Sequence, residues 1–102
     1  MASSKDYLEF ILDQLPPEAS QRAMMGDYII YYRGKIAGGI YDDRFLVKQT
    51  ESARRLMPGA ALEVPYEGAK EMLLVDEVED REFLRVLLEA MYGELPAPKK
   101  KK

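Results

Sequence analysis

The chain has 102 residues, 47% of them hydrophobic and 32% charged, and a formal net charge of −3. That is the length of one domain and the composition of an ordinary globular protein, neither disordered nor membrane-spanning. Cys and His are both absent, which excludes disulfides, thiolate nucleophiles, Ser-His-Asp or Cys-His sites, and the commonest transition-metal ligands.

No apolar run approaches the roughly 18 residues of a transmembrane helix, and the N-terminus carries no signal-peptide pattern. The expectation is a cytoplasmic protein without a membrane partner. Charge is unevenly spread: residues 22–58 hold seven basic and four acidic side chains, whereas residues 59–98 hold three basic and ten acidic ones. A basic segment therefore sits in an otherwise acidic body.

In chain order, Ser3-Ser-Lys-Asp6 resembles a capping box with Asp in place of Glu. It precedes the helical stripe Tyr7, Leu8, Ile11, Leu12 and Leu15, which Pro16-Pro17 terminates. Arg22 to Gly26 leads into the first strand, with Gly26 allowing a bulge or tight bend there. Met24 and Met25 point to opposite sides of such a segment, and core filling is the favoured role for the pair.

Asp27 to Lys48 contains three apolar runs separated by Arg33-Gly34 and Asp42-Asp43. Two-residue turns at these pairs predict a three-stranded antiparallel meander with Tyr32 opposite Lys35 and Tyr41 opposite Arg44. Strict alternation then places Ile29, Tyr31, Ile36, Gly38, Ile40, Phe45 and Val47 on a core face. The other face carries Tyr28, Tyr32, Lys35, Tyr41, Arg44 and Lys48, along with Ile30 and Leu46. Gly38-Gly39 allows the close approach of a helix or marks a bulge.

Thr50 caps a short helix that ends at Pro58-Gly59. Residues 62–66 alternate as an edge strand limited by Pro65, Glu67-Gly68 forms a turn, and residues 70–75 read as a more central strand. The acidic run Asp76 to Asp80 suits a helix N-terminus. Phe83, Leu84, Leu87, Leu88 and Met91 are the stripe of the last helix, and Gly93 its stop. The predicted class is α+β, two-layered, with an antiparallel sheet and the order α-β-β-β-α-β-β-α. Residues 1–94 form the domain, and residues 95–102 a disordered Pro/Lys-rich tail that aids solubility.

Arg22-Ala-Met-Met-Gly26, Tyr32-Arg-Gly-Lys35 and Asp43-Arg-Phe-Leu-Val-Lys48 together resemble the N-terminal domain of the TfoX/Sxy family. Tyr66 and Met72 match that family's following hairpin. Met25 stands where Phe is usual, and Asp27 where a second Gly is common. The resemblance spans residues 5–92 and excludes the second, C-terminal domain of full-length members. It implies the same layered fold and a bacterial regulatory protein linked to DNA-uptake competence, working as a coactivator beside a cyclic-AMP receptor-type transcription factor.

Sharper chemistry fares poorly. Asp42-Asp43 lies at a hairpin turn like paired catalytic aspartates, but ordinary turn chemistry accounts for it. Asp76, Glu77, Glu79 and Asp80 lack the glycine and ligand spacing of a calcium loop. No catalytic residue, cofactor site, metal site or small-molecule substrate emerges, so the expectation is a non-enzymatic interaction module. The tyrosine and basic face supplies the candidate interaction surface: Tyr28, Tyr32, Lys35, Tyr41, Arg44 and Lys48. A protein partner or a homodimer is the favoured occupant. The alternative is weak nucleic-acid binding through that face and Lys99–Lys102.

Overall fold

A computed structural model of the chain describes residues 4–96. Its elements are α1 (Lys5–Gln14), β1 (Ala19–Met24), β2 (Asp27–Tyr32), β3 (Lys35–Ile40), β4 (Phe45–Val47), α2 (Glu51–Leu56), β5 (Leu62–Glu63), β6 (Met72–Leu74) and α3 (Arg81–Tyr92). All six strands form one antiparallel sheet in the order β1-β2-β3-β4-β6-β5. The α+β class holds, with one strand more than expected. Residues 19–24 alternate no hydrophobics, since Ser20, Gln21, Arg22 and Ala23 are all exposed. β1 is thus an edge strand held by backbone pairing to β2 alone.

The first three hairpins share one device. Met25 and Gly26, Arg33 and Gly34, and Asp42 and Asp43 all have positive φ, the signature of the two-residue I′ turn whose twist matches the strands it joins. Both predicted registers follow: Tyr32 lies opposite Lys35, and Tyr41 and Arg44 exchange backbone hydrogen bonds of 2.9 and 3.0 Å.

The face assignment, however, is corrected. Between Ile30 and Tyr31 the β2–β3 register shifts, so Ile30 faces Gly38 while Tyr31 faces Ile36, and Ala37 is the extra residue. A one-residue bulge reverses the parity of everything on one side of it. Ile30 and Tyr32, not Ile29 and Tyr31, therefore join Ile40, Phe45 and Val47 in the core. The glycines make this possible. A Cβ on Gly38 would lie against the Leu46 carbonyl oxygen and 2.7 Å from Val47 Cα.

Three helices cover that face. Leu8 and Ile11 from α1, Leu15 at its C-cap, and Leu84, Leu87, Leu88 and Met91 from α3 are buried in one cluster with the sheet residues. Ser4, rather than Ser3, is the first N-cap, accepting from the Tyr7 N–H at 3.1 Å. Thr50 and Asp80 cap α2 and α3 in the same way. Leu95, assigned to the tail on the grounds that nothing there could pack, is buried in the core. Residues 97–102, and with them the lysine run, lie outside the described residues. Among the described residues no helix is long and apolar enough to cross a membrane.

Candidate functional site

The parity reversal divides the six predicted surface residues between the two sides of the sheet. Tyr28, Tyr32 and Lys35 lie on the helix-covered side. Tyr32 is 2% exposed, and its hydroxyl donates to Glu89 Oε1 at 3.0 Å. Its ring meets Tyr92 edge-on at 6.1 Å. Lys35 Nζ donates to the Tyr92 carbonyl at 3.2 Å and stands 4.2 Å from that ring's centroid. A cation is favourable there, at the carbonyl end of α3. Arg33 completes the group with a 2.8 Å ion pair to Glu89. Burial, then the Glu89 hydrogen bond, hold the Tyr32 phenol above its ordinary pKa, so it stays a neutral donor. Tyr32, Arg33 and Lys35 clamp the β2–β3 hairpin to α3, and Tyr28 packs against the core on the same side; the expectation of one shared open face is thereby corrected for Tyr28, Tyr32 and Lys35.

Tyr41, Arg44 and Lys48 belong to the opposite, helix-free side. Leu46 and Tyr41 are buried yet stand outside the helix-side core, because the segment from Val64 to Glu71 folds back across this face. Tyr66 brings its ring 6.0 Å from that of Tyr41. Arg44 pairs with Glu63 at 2.6 Å, and its Nε donates to the Tyr41 carbonyl. Gln49 Nε2 donates to the Glu71 carbonyl at 2.9 Å, tying the returning segment to the end of β4. Burial is the main reason that the Tyr41 phenol also rises in pKa, with Tyr66 and Asp27 adding to it.

The returning segment and the sheet enclose a half-open groove of about 520 Å³, within the roughly 300–1,000 Å³ of typical ligand sites. Ile29, Ile36 and Met72 contribute apolar side chains, and Met24 and Pro65 add to its walls. Lys48 and Lys70 also line it, against the single carboxylate of Glu71. Neither lysine forms an ion pair among the described residues. Of the predicted residues, then, Tyr41 and Lys48 meet in the groove and Arg44 borders the same face.

Sequence reasoning missed Ile29, Ile36, Lys70 and Met72 as surface groups. The first two were assigned to the core by alternation, and no local signal shows that residues 64–71 return over the sheet. The methionine pair is corrected as well. Met25 is 97% exposed at the first hairpin tip, because its positive φ forces it out of the strand, while Met24 reaches the groove. At the Asp42-Asp43 turn the Asp43 carboxylate serves structure, its Oδ1 accepting from the Ser4 N–H at 2.8 Å. No group of three or more acidic side chains able to hold a metal ion occurs among the described residues.

No protein-family model and no solved structure matches the chain. A protein of Spirochaeta aurantia, described as an uncharacterized 12.7 kDa protein in the trpE 5′ region, is 34% identical over 105 residues. That similarity covers the whole of this chain and 91% of the relative. The chain therefore belongs to the same family as this Spirochaeta aurantia protein.

Proposed function

We propose that the chain is a non-enzymatic regulatory interaction module of the bacterial cytoplasm, and that the groove on the helix-free side of the sheet receives a segment of a protein partner. The observation that carries this reading is an apolar floor left open on a sheet whose other face is packed against helices. Ile36 remains 39% exposed there beside Ile29 and Met72, and an apolar concavity with a few polar groups at its edge is suited to seat a partner's side chain. Seating one aliphatic side chain in such a floor contributes about 1.5–3 kcal/mol. The resemblance to the TfoX/Sxy N-terminal domain supports an adaptor role linked to competence or transcription, with the groove as the contact surface.

A second reading has one observation in its favour. Tyr31 and Tyr66 keep accessible rings on this side, and Arg22, Lys48 and Lys70 carry cations without ion pairs among the described residues. Such a mixture suits single-stranded nucleic acid. The protein reading is preferred because the Tyr41 ring is buried, which removes the central stacking platform, and because the chain's net charge is −3.

The test is retention of a native partner by three immobilised forms: wild type, Ile36→Glu in the groove, and Val86→Glu on the exposed side of α3. Partner bound by wild type and Val86→Glu but lost by Ile36→Glu is the expected outcome. Loss through Val86→Glu alone would move the contact surface to the helices.

A further inference from the structure

The groove is chemically two-ended, and its ends lie side by side. The Lys48 N–H donates to the Ala37 carbonyl at 2.9 Å, so this lysine borders Ile36, the residue preceding Ala37. The Gln49–Glu71 hydrogen bond then brings Lys70, one residue before Glu71, toward the same end. An aliphatic floor thus adjoins two lysines that lack a carboxylate partner among the described residues. Along β3 and into the turn after it the lining runs from Ile36 through Gly38 to Tyr41, about 16 Å at the rise of an extended strand. That length suits roughly five residues of an extended chain.

We infer that the groove selects an extended protein segment carrying an aliphatic side chain beside a carboxylate. This rests on the groove being the contact surface, and adds the chemistry of what enters it. A segment lying over the floor displaces water from the lysine ammonium groups, and an ammonium that loses hydration needs a counter-charge. A carboxylate supplies it. A basic segment would bring like charge into the same space, so the lysines discriminate by repulsion as well as attraction. Glu71 is the single carboxylate of the lining against these two lysines and pairs with neither among the described residues. The apolar floor supplies affinity and the lysines supply choice.

Selection of a random-peptide display library on the full chain tests this directly. Three baits serve: wild type, the Lys48→Glu/Lys70→Glu double variant, and Ile36→Glu, each first shown to be folded by circular dichroism. Wild type should enrich Asp or Glu next to Ile, Leu or Met. Those peptides should bind the double variant about tenfold or more weakly, the size expected for removing a close charge pair. The double variant should in turn enrich Lys or Arg.

Peptides without charge preference that still fail on Ile36→Glu would overturn the inference while leaving the groove as the contact surface. Peptides indifferent to Ile36→Glu, or a library yielding none that depend on the groove, would overturn both. A labelled oligo-dT that binds at physiological salt, is released by the double charge reversal and displaces the peptides would assign the lysines to phosphate, and would likewise overturn the inference.

Discussion

Gly39 has no room for a methyl group. A Cβ there would lie 2.6 Å from the Tyr28 carbonyl oxygen and 2.6 Å from the Tyr41 ring, and the carbonyl belongs to a paired strand that cannot retreat. Gly39→Ala should cost about 1–3 kcal/mol in urea unfolding. Gly59→Ala, with nothing within 4 Å of its Cβ, should stay within about 0.5 kcal/mol of wild type. The glycine pair reads in the sequence as room for a helix or as a bulge; the extra residue is Ala37, and what crowds the glycines is the backbone of the neighbouring strands at Leu46 and Tyr28. Those facing carbonyls are set by pairing rather than by local sequence. Glu94 gives a second residue-level expectation. Its carboxylate accepts from the Ser52 N–H at 2.9 Å and the Ser52 hydroxyl at 2.5 Å, joining α3's end to the first turn of α2. These hydrogen bonds hold its pKa below the ordinary carboxylate value. Stability from Glu94 is therefore fully present above the unfolded-state pKa and is lost as pH falls through the depressed folded value. Thermal melts of wild type and Glu94→Gln should differ at neutral pH and converge in acid. A gap that persists below both pKa values would contradict the assignment.

At the scale of elements, every helix and both meander turns were legible, because each rests on local chemistry: caps, proline stops, apolar stripes and turn pairs. β1 was not, since an edge strand with both faces wet needs no alternation. The two faces of the meander were exchanged in β2 because Ala37, a small residue with no turn signal, occupies the bulge. The consequence is measurable. Alternation alone placed Leu46 on an open face, where truncation would cost little. In the folded chain Leu46 is 0% exposed, so Phe45→Ala and Leu46→Ala should both cost about 2–5 kcal/mol by chemical denaturation. A loss at Leu46 under about 1 kcal/mol would mean that the returning segment does not cover the sheet. The caps offer a milder check. Asp80→Ala removes the acceptor for the Phe83 N–H at 3.0 Å and should lower stability by about 1 kcal/mol.

At the scale of the molecule, the two sides of one sheet differ: helices pack on one, and a returning segment of chain lies across the other. On the helix side the Tyr32, Arg33, Lys35, Glu89 and Tyr92 cluster locks hairpin to helix around the buried Tyr32, so Tyr32→Glu should unfold the chain rather than disturb an interface. Burying an unpaired carboxylate there costs about 3–5 kcal/mol, and loss of the cooperative melt is the readout. The opposite side holds the groove lined by Tyr41 and Lys48, with Arg44 bordering the same face; residue type marks these three in the sequence, as a tyrosine and two cations of a meander. Its floor was hidden, because Ile29 and Ile36 look like core in sequence and Lys70 and Met72 reach the site only through a long-range return of the chain. The central claim is that partners meet this side and not the helices. Photo-crosslinking measures it most directly, with p-benzoylphenylalanine placed in turn at position 36, in the groove, and at position 86, which is 41% exposed on α3, in cells producing the protein. The account predicts a discrete protein adduct from position 36 and none from position 86; adducts from position 86 with none from position 36 would contradict it.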